Sequence, residues 1–122
     1  MQVLIIDDHR DSADMLAALL RLRKPGLTVH VAHDGESALP LALADRYDAV
    51  VIDLNLPGMQ GDAVAMEIRR EWDGVPPILI AVSGSIAEVA RHQTSGVFEH
   101  ALTKPVNVAL LLDILARPEP GQ

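Results

Sequence analysis

The sequence predicts an α/β domain built on a doubly wound, five-stranded parallel sheet of the (βα)5 type. Short apolar runs of strand length alternate along the chain with stretches that repeat apolar residues at helical spacing. The short runs are apolar at consecutive positions, which is typical of strands covered by helices on both faces. The five predicted strands are residues 3–6, 27–32, 49–52, 78–82 and 97–102.

The first predicted helix follows the first strand. Asp11 or Ser12 is expected to cap its free backbone N–H groups, because both side chains accept hydrogen bonds at helix starts. Leucines then recur at helical spacing, at Leu16, Leu19 and Leu20. The sequence Lys24-Pro25-Gly26 predicts the end of this helix.

The second and fourth helical segments are irregular. Pro40 lies inside the second pattern, residues 38–44, where its missing N–H group is expected to kink or delay the helix. The fourth segment, Ile86–His92, is short and weakly apolar.

The third and fifth helices are amphipathic, and we expect both to lie against the sheet. The third is predicted to start at Asp62 and the fifth at Asn107. The residues predicted to be buried are Val64, Ile68 and Trp72 in the third helix and Leu110, Leu111, Ile114 and Leu115 in the fifth. The whole alternation predicts a flavodoxin-like fold with strand order 2-1-3-4-5 and helices on both faces.

The length of the chain, 122 residues, indicates one domain with a single core. We expect this domain to occupy residues 1–116 and residues 117–122 to form a tail or linker stub. The sequence contains no cysteine, which excludes thiolate catalysis, disulfides and cysteine-ligated zinc.

The charge of the chain argues against direct binding to nucleic acid. The formal net charge is −7 and the sequence pI is about 5.0, whereas a phosphate-binding surface requires a basic face. The aromatic residues are Tyr47, Trp72 and Phe98, too few for a row of rings on which bases stack.

The longest apolar runs have the length of strands, and no signal-peptide pattern precedes them. We therefore expect a soluble, cytoplasmic protein without a membrane partner.

Carboxylates follow two of the predicted strands, at the point where each strand ends. Asp7 and Asp8 follow the first strand and Asp53 follows the third. Ligands of open parallel sheets bind beyond the carboxyl ends of the strands, so these acids are expected to converge. Three close carboxylates repel one another unless a hard cation neutralises them, which predicts Mg²⁺.

Ser83 and Lys104 stand at the ends of the fourth and fifth strands. Asp53 is a candidate nucleophile toward a phosphoryl group. Lys104 supplies a positive charge to a phosphoryl oxygen and the Ser83 hydroxyl supplies a hydrogen-bond donor. Pro57-Gly58 and Gly61 predict turns.

This set of residues resembles the receiver domain of two-component response regulators over nearly all of residues 1–116. That family carries an acidic pair after the first strand, a phosphoacceptor Asp after the third, Ser or Thr after the fourth and Lys-Pro after the fifth. Asp7-Asp8, Asp53, Ser83 and Lys104-Pro105 match this pattern in order. The style of the segments around Asp7, Asp34, Asp53 and Lys104 is most similar to receivers of hybrid histidine kinases.

The resemblance implies a role for each matching residue. Asp53 accepts phosphate from a phosphohistidine of a sensor histidine kinase or a histidine phosphotransfer protein. Asp8 binds Mg²⁺ directly, Asp7 assists largely through water, and the Asn55 carbonyl supplies another ligand. Ser83 and Lys104 hold the phosphate, and the peptide bond before Pro105 is cis. Such a domain signals rather than acting as an enzyme, with at most slow loss of its own phosphate.

One position departs from the family pattern. Members commonly carry Tyr, Phe or His three residues before the lysine, and Ala101 stands there. Alanine has no rotamer to switch, so the resemblance does not extend to the usual conformational readout through the fifth strand, whereas the phosphoryl chemistry does not depend on this position. The histidines, including His9 and His92, lack ligand spacing and are expected to be surface or strand residues, with His9 close enough to influence access to the site.

Two other functions compete with the receiver hypothesis. A phosphate-independent interaction module is suggested by Ala101 and by the irregular second and fourth helical segments. A metal-dependent phosphatase of the haloacid dehalogenase type would also use an aspartyl nucleophile. Such enzymes need a second acid two residues after the nucleophile, and Asn55 stands there instead.

Overall fold

The computed structural model describes residues 1–116, in which five strands alternate with five helices. The predicted tail at residues 117–122 lies outside the described residues. In chain order the elements are β1 (Gln2–Ile6), α1 (Arg10–Arg23), β2 (Thr28–Ala32), α2 (Gly35–Ala44), β3 (Ala49–Asp53), α3 (Gly61–Glu71), β4 (Ile78–Ser83), α4 (Ile86–His92), β5 (His100–Thr103) and α5 (Val108–Ala116).

The five strands form one parallel sheet in the order β2-β1-β3-β4-β5, which confirms the predicted order. In the middle of the sheet Ile5 pairs with Val51 and Val51 with Ile80. From β1 the chain continues to β2 on one side of the sheet and from β3 to β4 on the other. The connections after β1 and β3 therefore leave toward opposite faces, and a crevice opens between them.

The sheet has two apolar faces because successive side chains of a strand point in opposite directions. On one face Leu4, Ile6 and Val50 belong to a core that includes residues of α2, α3 and α4. On the other face Val3 and Ile5 belong to a second core with α1 and α5. The two cores fix the sheet between helical layers, as predicted.

The predicted caps of α1 are wrong. The helix begins at Arg10 after His9, whose side chain makes no capping hydrogen bond, so Asp11 and Ser12 lie inside the first turn. Helix α1 can begin this early because the chain turns directly out of the loop after β1, where the backbone N–H of His9 donates to Asp7. The predicted end is confirmed, with Lys24 as the C-terminal cap.

Helix α2 begins at Gly35, earlier than the predicted pattern, and contains Pro40 in its interior. The carboxylate of Asp34 caps it, accepting a hydrogen bond from the backbone N–H of Ser37 at 2.6 Å. A strong cap and apolar packing of Ala38 and Ala42 hold the helix despite the hydrogen bond that proline removes.

Several other boundaries and one predicted burial differ from the structure. Strand β5 begins at His100, because Phe98 enters the core from the preceding loop instead of from the strand. Helix α3 begins at Gly61, one residue before Asp62. Helix α5 begins at Val108, one residue after the predicted Asn107, and the Asn107 side chain instead accepts a hydrogen bond from the Leu110 N–H. Leu110 is 40% exposed, because only one side of α5 faces the sheet. The bounds of α4 agree with prediction.

Within residues 1–116, no helix has the length and apolar character required to cross a membrane.

Candidate functional site

Four of the predicted site residues meet at the carboxyl edge of the sheet. Asp7 follows β1, Asp53 ends β3, Ser83 ends β4 and Lys104 follows β5. Asp7, Asp53 and Ser83 are buried, with exposed fractions of 6%, 2% and 0%. Polar side chains this deeply buried need partners inside the protein.

The carboxylate of Asp53 is held at both oxygens. Lys104 donates from Nζ to Oδ2 at 2.9 Å, and the backbone N–H of Asn55 donates to Oδ1 at 3.0 Å. The first contact joins the residue after β5 to the end of β3, and the second comes from the loop that follows Asp53. Asp53 is therefore placed by the sheet and by the start of its own loop.

Asp7 shares the same ammonium group. Lys104 Nζ lies 3.2 Å from Asp7 Oδ2, while the backbone N–H of His9 donates to Asp7 Oδ1 at 2.9 Å. The ring Nδ1 of His9 lies 3.6 Å from carboxylate oxygens of both Asp7 and Asp8. His9 is thus at the rim of the site, as predicted, and its ring is largely exposed.

The electrostatics of the site follow from burial and from one shared cation. Burial raises the pKa of Asp53 above its ordinary value of 3.8, and the hydrogen bonds from Asn55 and Lys104 offset only part of that effect. Burial alone lowers the pKa of Lys104, but the hydrogen bond and charge of Asp53, together with Asp7, outweigh it and raise that pKa. Lys104 therefore remains charged, and it does not fully compensate the carboxylates.

The chemistry of these groups fits a divalent cation. One oxygen each from Asp7, Asp8 and Asp53 and a ring nitrogen of His9 lie within 4.8 Å of one another. Carboxylate oxygens are the ligands that Mg²⁺ prefers, and three carboxylates facing one ammonium leave an excess of negative charge. The nitrogen of His9 does not suit Mg²⁺, which leaves the three acids as the donors.

Ser83 lies in a hydrogen-bonded group with Asn55 and Glu88. The Ser83 hydroxyl donates to Glu88 Oε1 at 2.9 Å, and the Asn55 side-chain amide donates to the same oxygen at 3.0 Å. These two hydrogen bonds lower the pKa of Glu88 below its ordinary value of 4.5. Ser83 Oγ accepts a hydrogen bond from the backbone N–H of Ser85 at 3.0 Å.

Glu88 is the site residue that the sequence analysis missed. The signal was the spacing Ser85-Ile86-Ala87-Glu88, in which Ser followed three residues later by Glu marks a capping box at a helix start. Ser85 does cap α4, accepting from the Glu88 N–H at 3.2 Å. The glutamate side chain instead reaches Ser83 and Asn55, a choice that only the tertiary structure reveals.

Gly61 has a role that differs from the predicted turn. It is the buried first residue of α3, and a Cβ atom placed on it would lie 2.2 Å from the backbone oxygen of Asp53. The absence of a side chain therefore lets α3 approach the end of β3. Gly58, with φ of 75°, does occupy the predicted turn.

The structure around Ala101 shows that one further prediction, the location of His92, is wrong. Ala101 is buried on β5, in the same core as Phe98 and Val89. His92 of α4 is also buried, and its ring packs edge-on against Phe98 with centroids 5.2 Å apart. His92 is therefore neither a surface nor a strand residue, because the short α4 turns it inward. The peptide bond between Lys104 and Pro105 is cis, as predicted.

Comparison with known proteins agrees with this geometry. The model of the response regulator receiver domain family matches residues 3–116. Response regulator receiver protein Anae109_2439 from Anaeromyxobacter sp. (strain Fw109-5) is 39% identical over 113 residues, covering 91% of this chain and 45% of that protein. The chain spans about half the length of the curated relatives that it matches.

Two solved structures are similar throughout. A CheY-like receiver domain from Methylobacillus flagellatus is 31% identical with a TM-score of 0.83, covering 94% of this chain and 95% of that one. The receiver domain of sensor histidine kinase PA1611 from Pseudomonas aeruginosa PAO1, with a magnesium ion in its active-site cleft, is 29% identical with a TM-score of 0.79 and covers 93% of each chain. The chain belongs to the response regulator receiver domain family of two-component signalling.

Proposed function

We propose that this domain accepts a phosphoryl group on Asp53 and relays it by a conformational change or by further phosphotransfer. The observation that carries the proposal is the way in which Asp53 is held. Its buried carboxylate is bound at one oxygen by Lys104 and at the other by the Asn55 N–H. A nucleophile fixed in this manner needs little rearrangement before an in-line attack.

In the proposed reaction a carboxylate oxygen of Asp53 attacks the phosphorus atom of a donor. The bond from phosphorus to the donor atom breaks, and its electron pair leaves with the donor. Lys104 Nζ, already 2.9 Å from Asp53, then contacts a phosphoryl oxygen. Ser83, at the end of the neighbouring strand, donates its hydroxyl to another.

Asp7, Asp8 and Asp53, with the backbone carbonyl of Asn55, would hold Mg²⁺. A bound cation neutralises the carboxylates and the charge of the incoming phosphoryl group. Support comes from the excess of carboxylates over ammonium groups in the cluster and from the magnesium ion in the similar Pseudomonas receiver.

The donor that suits an aspartyl acceptor is a phosphohistidine, either in a sensor histidine kinase or in a histidine phosphotransfer protein. Similarity to the receiver of a sensor histidine kinase supports this assignment. Because phosphohistidine is made from ATP, we expect the exchange to occur in the cytoplasm. We assign the receiver to residues 1–116 and do not expect direct binding to nucleic acid, given the net charge of −7.

A phosphatase function is disfavoured by the position of Asn55. Its side-chain amide donates a hydrogen bond to Glu88, and an amide cannot protonate a leaving group. We therefore expect at most slow hydrolysis of the protein's own aspartyl phosphate.

The test is intact and tandem mass spectrometry after incubation with acetyl phosphate, with and without Mg²⁺. The expected result is a labile, Mg²⁺-dependent gain of one phosphoryl group on Asp53. The Asp53→Asn variant should show no gain, whereas Asp45→Asn, which changes an exposed residue with the same loss of charge, should behave like the wild type.

An undiminished gain in Asp53→Asn would contradict the assignment of the site. No gain in the folded, Mg²⁺-saturated wild type, either with acetyl phosphate or with a phosphohistidine donor, would favour a phosphate-independent interaction module instead.

A further inference from the structure

Glu88 and the proposed phosphoryl group compete for the same hydrogen-bond donor, the Ser83 hydroxyl. A serine hydroxyl carries one hydrogen, and the Ser83 hydroxyl donates it to Glu88 Oε1 at 2.9 Å. The backbone N–H of Ser85 already donates to Ser83 Oγ, at 3.0 Å. Ser83 therefore has no second donor to offer an oxygen on Asp53 while it remains bound to Glu88.

Asn55 hydrogen-bonds to the carboxylates of both Asp53 and Glu88. Its backbone N–H donates to Asp53 Oδ1 at 3.0 Å, while its side-chain amide donates to Glu88 Oε1 at 3.0 Å. A change in the charge or position of the Asp53 carboxylate can therefore affect Glu88 through its contacts with Asn55. Since Glu88 lies in the first turn of α4, the same contacts connect the site to the start of that helix.

The local structure of α4 does not require this arrangement. In a capping box the glutamate side chain accepts from the backbone N–H of the cap residue. Here that N–H, on Ser85, is satisfied by Ser83 Oγ, and Glu88 turns toward Ser83 and Asn55 instead. Glu88 is half-buried and makes its side-chain contacts with the site rather than with its own helix end.

We propose that Glu88 is a positioning residue that holds Ser83 and the start of α4 in the unphosphorylated arrangement, and that a phosphoryl group on Asp53 displaces it by competing for the Ser83 hydroxyl. This inference rests on the proposed function. Once the hydroxyl turns to a phosphoryl oxygen, Glu88 loses that donor and faces added negative charge, so the first turn of α4 is released.

The competition predicts that removing Glu88 favours the phosphorylated state. The measurement is the affinity of the Mg²⁺-saturated protein for beryllium trifluoride, which takes the geometry of a phosphoryl group on a carboxylate. We expect Glu88→Ala to bind about threefold more tightly or better, the lower end of the net effect of one hydrogen bond. Glu88→Gln keeps an acceptor oxygen without the charge and should shift the affinity in the same direction by less.

A double-mutant cycle with Ser83→Ala separates competition from a general effect of charge. Without the hydroxyl there is no proton to share, so Glu88→Ala should change the affinity much less in the Ser83→Ala background than in the wild type. Glu71→Ala, which removes an exposed carboxylate from α3, is the matched control and should leave the affinity unchanged.

Equal changes in the two backgrounds would overturn the competition, as would unchanged or weaker binding in both Glu88 variants. If the wild type binds beryllium trifluoride and the Glu88 variants bind it equally well, the inference about Glu88 is refuted and the proposed function is not. A wild type that takes up neither acetyl phosphate nor beryllium trifluoride refutes the proposed function, and the inference with it.

Discussion

Lys104 donates a hydrogen bond of 2.9 Å to the carboxylate of Asp53, although 51 positions separate the two residues in the sequence. The same ammonium group lies 3.2 Å from Asp7. One cation thus joins the ends of three strands and partly neutralises two buried carboxylates. The stability of the site therefore depends strongly on this one side chain.

Replacement of Lys104 by alanine should lower stability and disconnect phosphate from conformation. Asp7 and Asp53 would be left without their cation, and we expect the free energy of unfolding to fall by about 1–3 kcal/mol at neutral pH. Urea unfolding with and without Mg²⁺ measures this, and Mg²⁺ should restore part of the loss. Bound beryllium trifluoride should no longer change the amide NMR spectrum of β5 and of the residue that follows it in this variant.

The exposed Lys24 provides the control, because Lys24→Ala removes the same charge away from the site. A loss of stability as large in Lys24→Ala, or a full response of β5 to beryllium trifluoride in Lys104→Ala, would contradict the role given to Lys104.

Replacement of Asp8 by alanine should weaken Mg²⁺ binding by about tenfold or more, because a carboxylate is lost from the acidic cluster. Isothermal titration calorimetry measures the affinity. Asp14→Ala removes an exposed carboxylate from α1 and should bind Mg²⁺ as the wild type does. Equal weakening in both variants would indicate a general effect of net charge.

The stability of the metal-free protein should depend on pH through Asp53. Burial raises the pKa of Asp53 in the folded state above 3.8, so the folded protein binds this proton more tightly than the unfolded chain. The contribution of Asp53 to stability is therefore present below pH 3.8 and is lost as pH rises through the folded-state pKa. Relative to the wild type, Asp53→Asn should gain stability from acidic toward neutral pH.

Urea unfolding in a chelator at a series of pH values tests this difference, with Asp14→Asn as the reference. A wild type that gains stability relative to Asp53→Asn as pH rises would mean that Lys104 more than compensates for burial.

Replacement of Gly61 by alanine should disturb the site from outside it. Alanine is favourable in a helix, but the new Cβ would lie 2.2 Å from the backbone carbonyl oxygen of Asp53 and 2.8 Å from the Leu54 Cα atom. Backbone cannot move as a side chain can, so we expect a loss of about 1–3 kcal/mol in unfolding free energy. Slower phosphorylation by acetyl phosphate should accompany it.

Gly26→Ala is the control for that comparison, because nothing lies within 4 Å of a Cβ atom at Gly26. Equal stability of the two variants would show that α3 can shift away from β3 at little cost.

The sequence by itself determined the fold and most of the residues of the site. Five short runs are apolar at consecutive positions and alternate with helical patterns. Such strands are buried on both faces in a parallel sheet covered by helices, because each crossover returns the chain to the same edge. The carboxyl ends of such strands lie together, which placed Asp7, Asp53, Ser83 and Lys104 at one edge. These are consequences of periodicity and topology, and both can be read from the residues.

Only the tertiary structure decided which partner each polar group takes. The orientation of Glu88 toward Ser83, the approach of Gly61 to Asp53 and the burial of His92 against Phe98 depend on how α3 and α4 pack on the sheet. Local sequence offers Glu88 an ordinary capping role and Gly61 an ordinary turn, and neither pattern specifies contacts with distant strands. Hydrogen bonds and close backbone approaches are short-ranged, so their partners are selected only after long-range packing has brought the elements together.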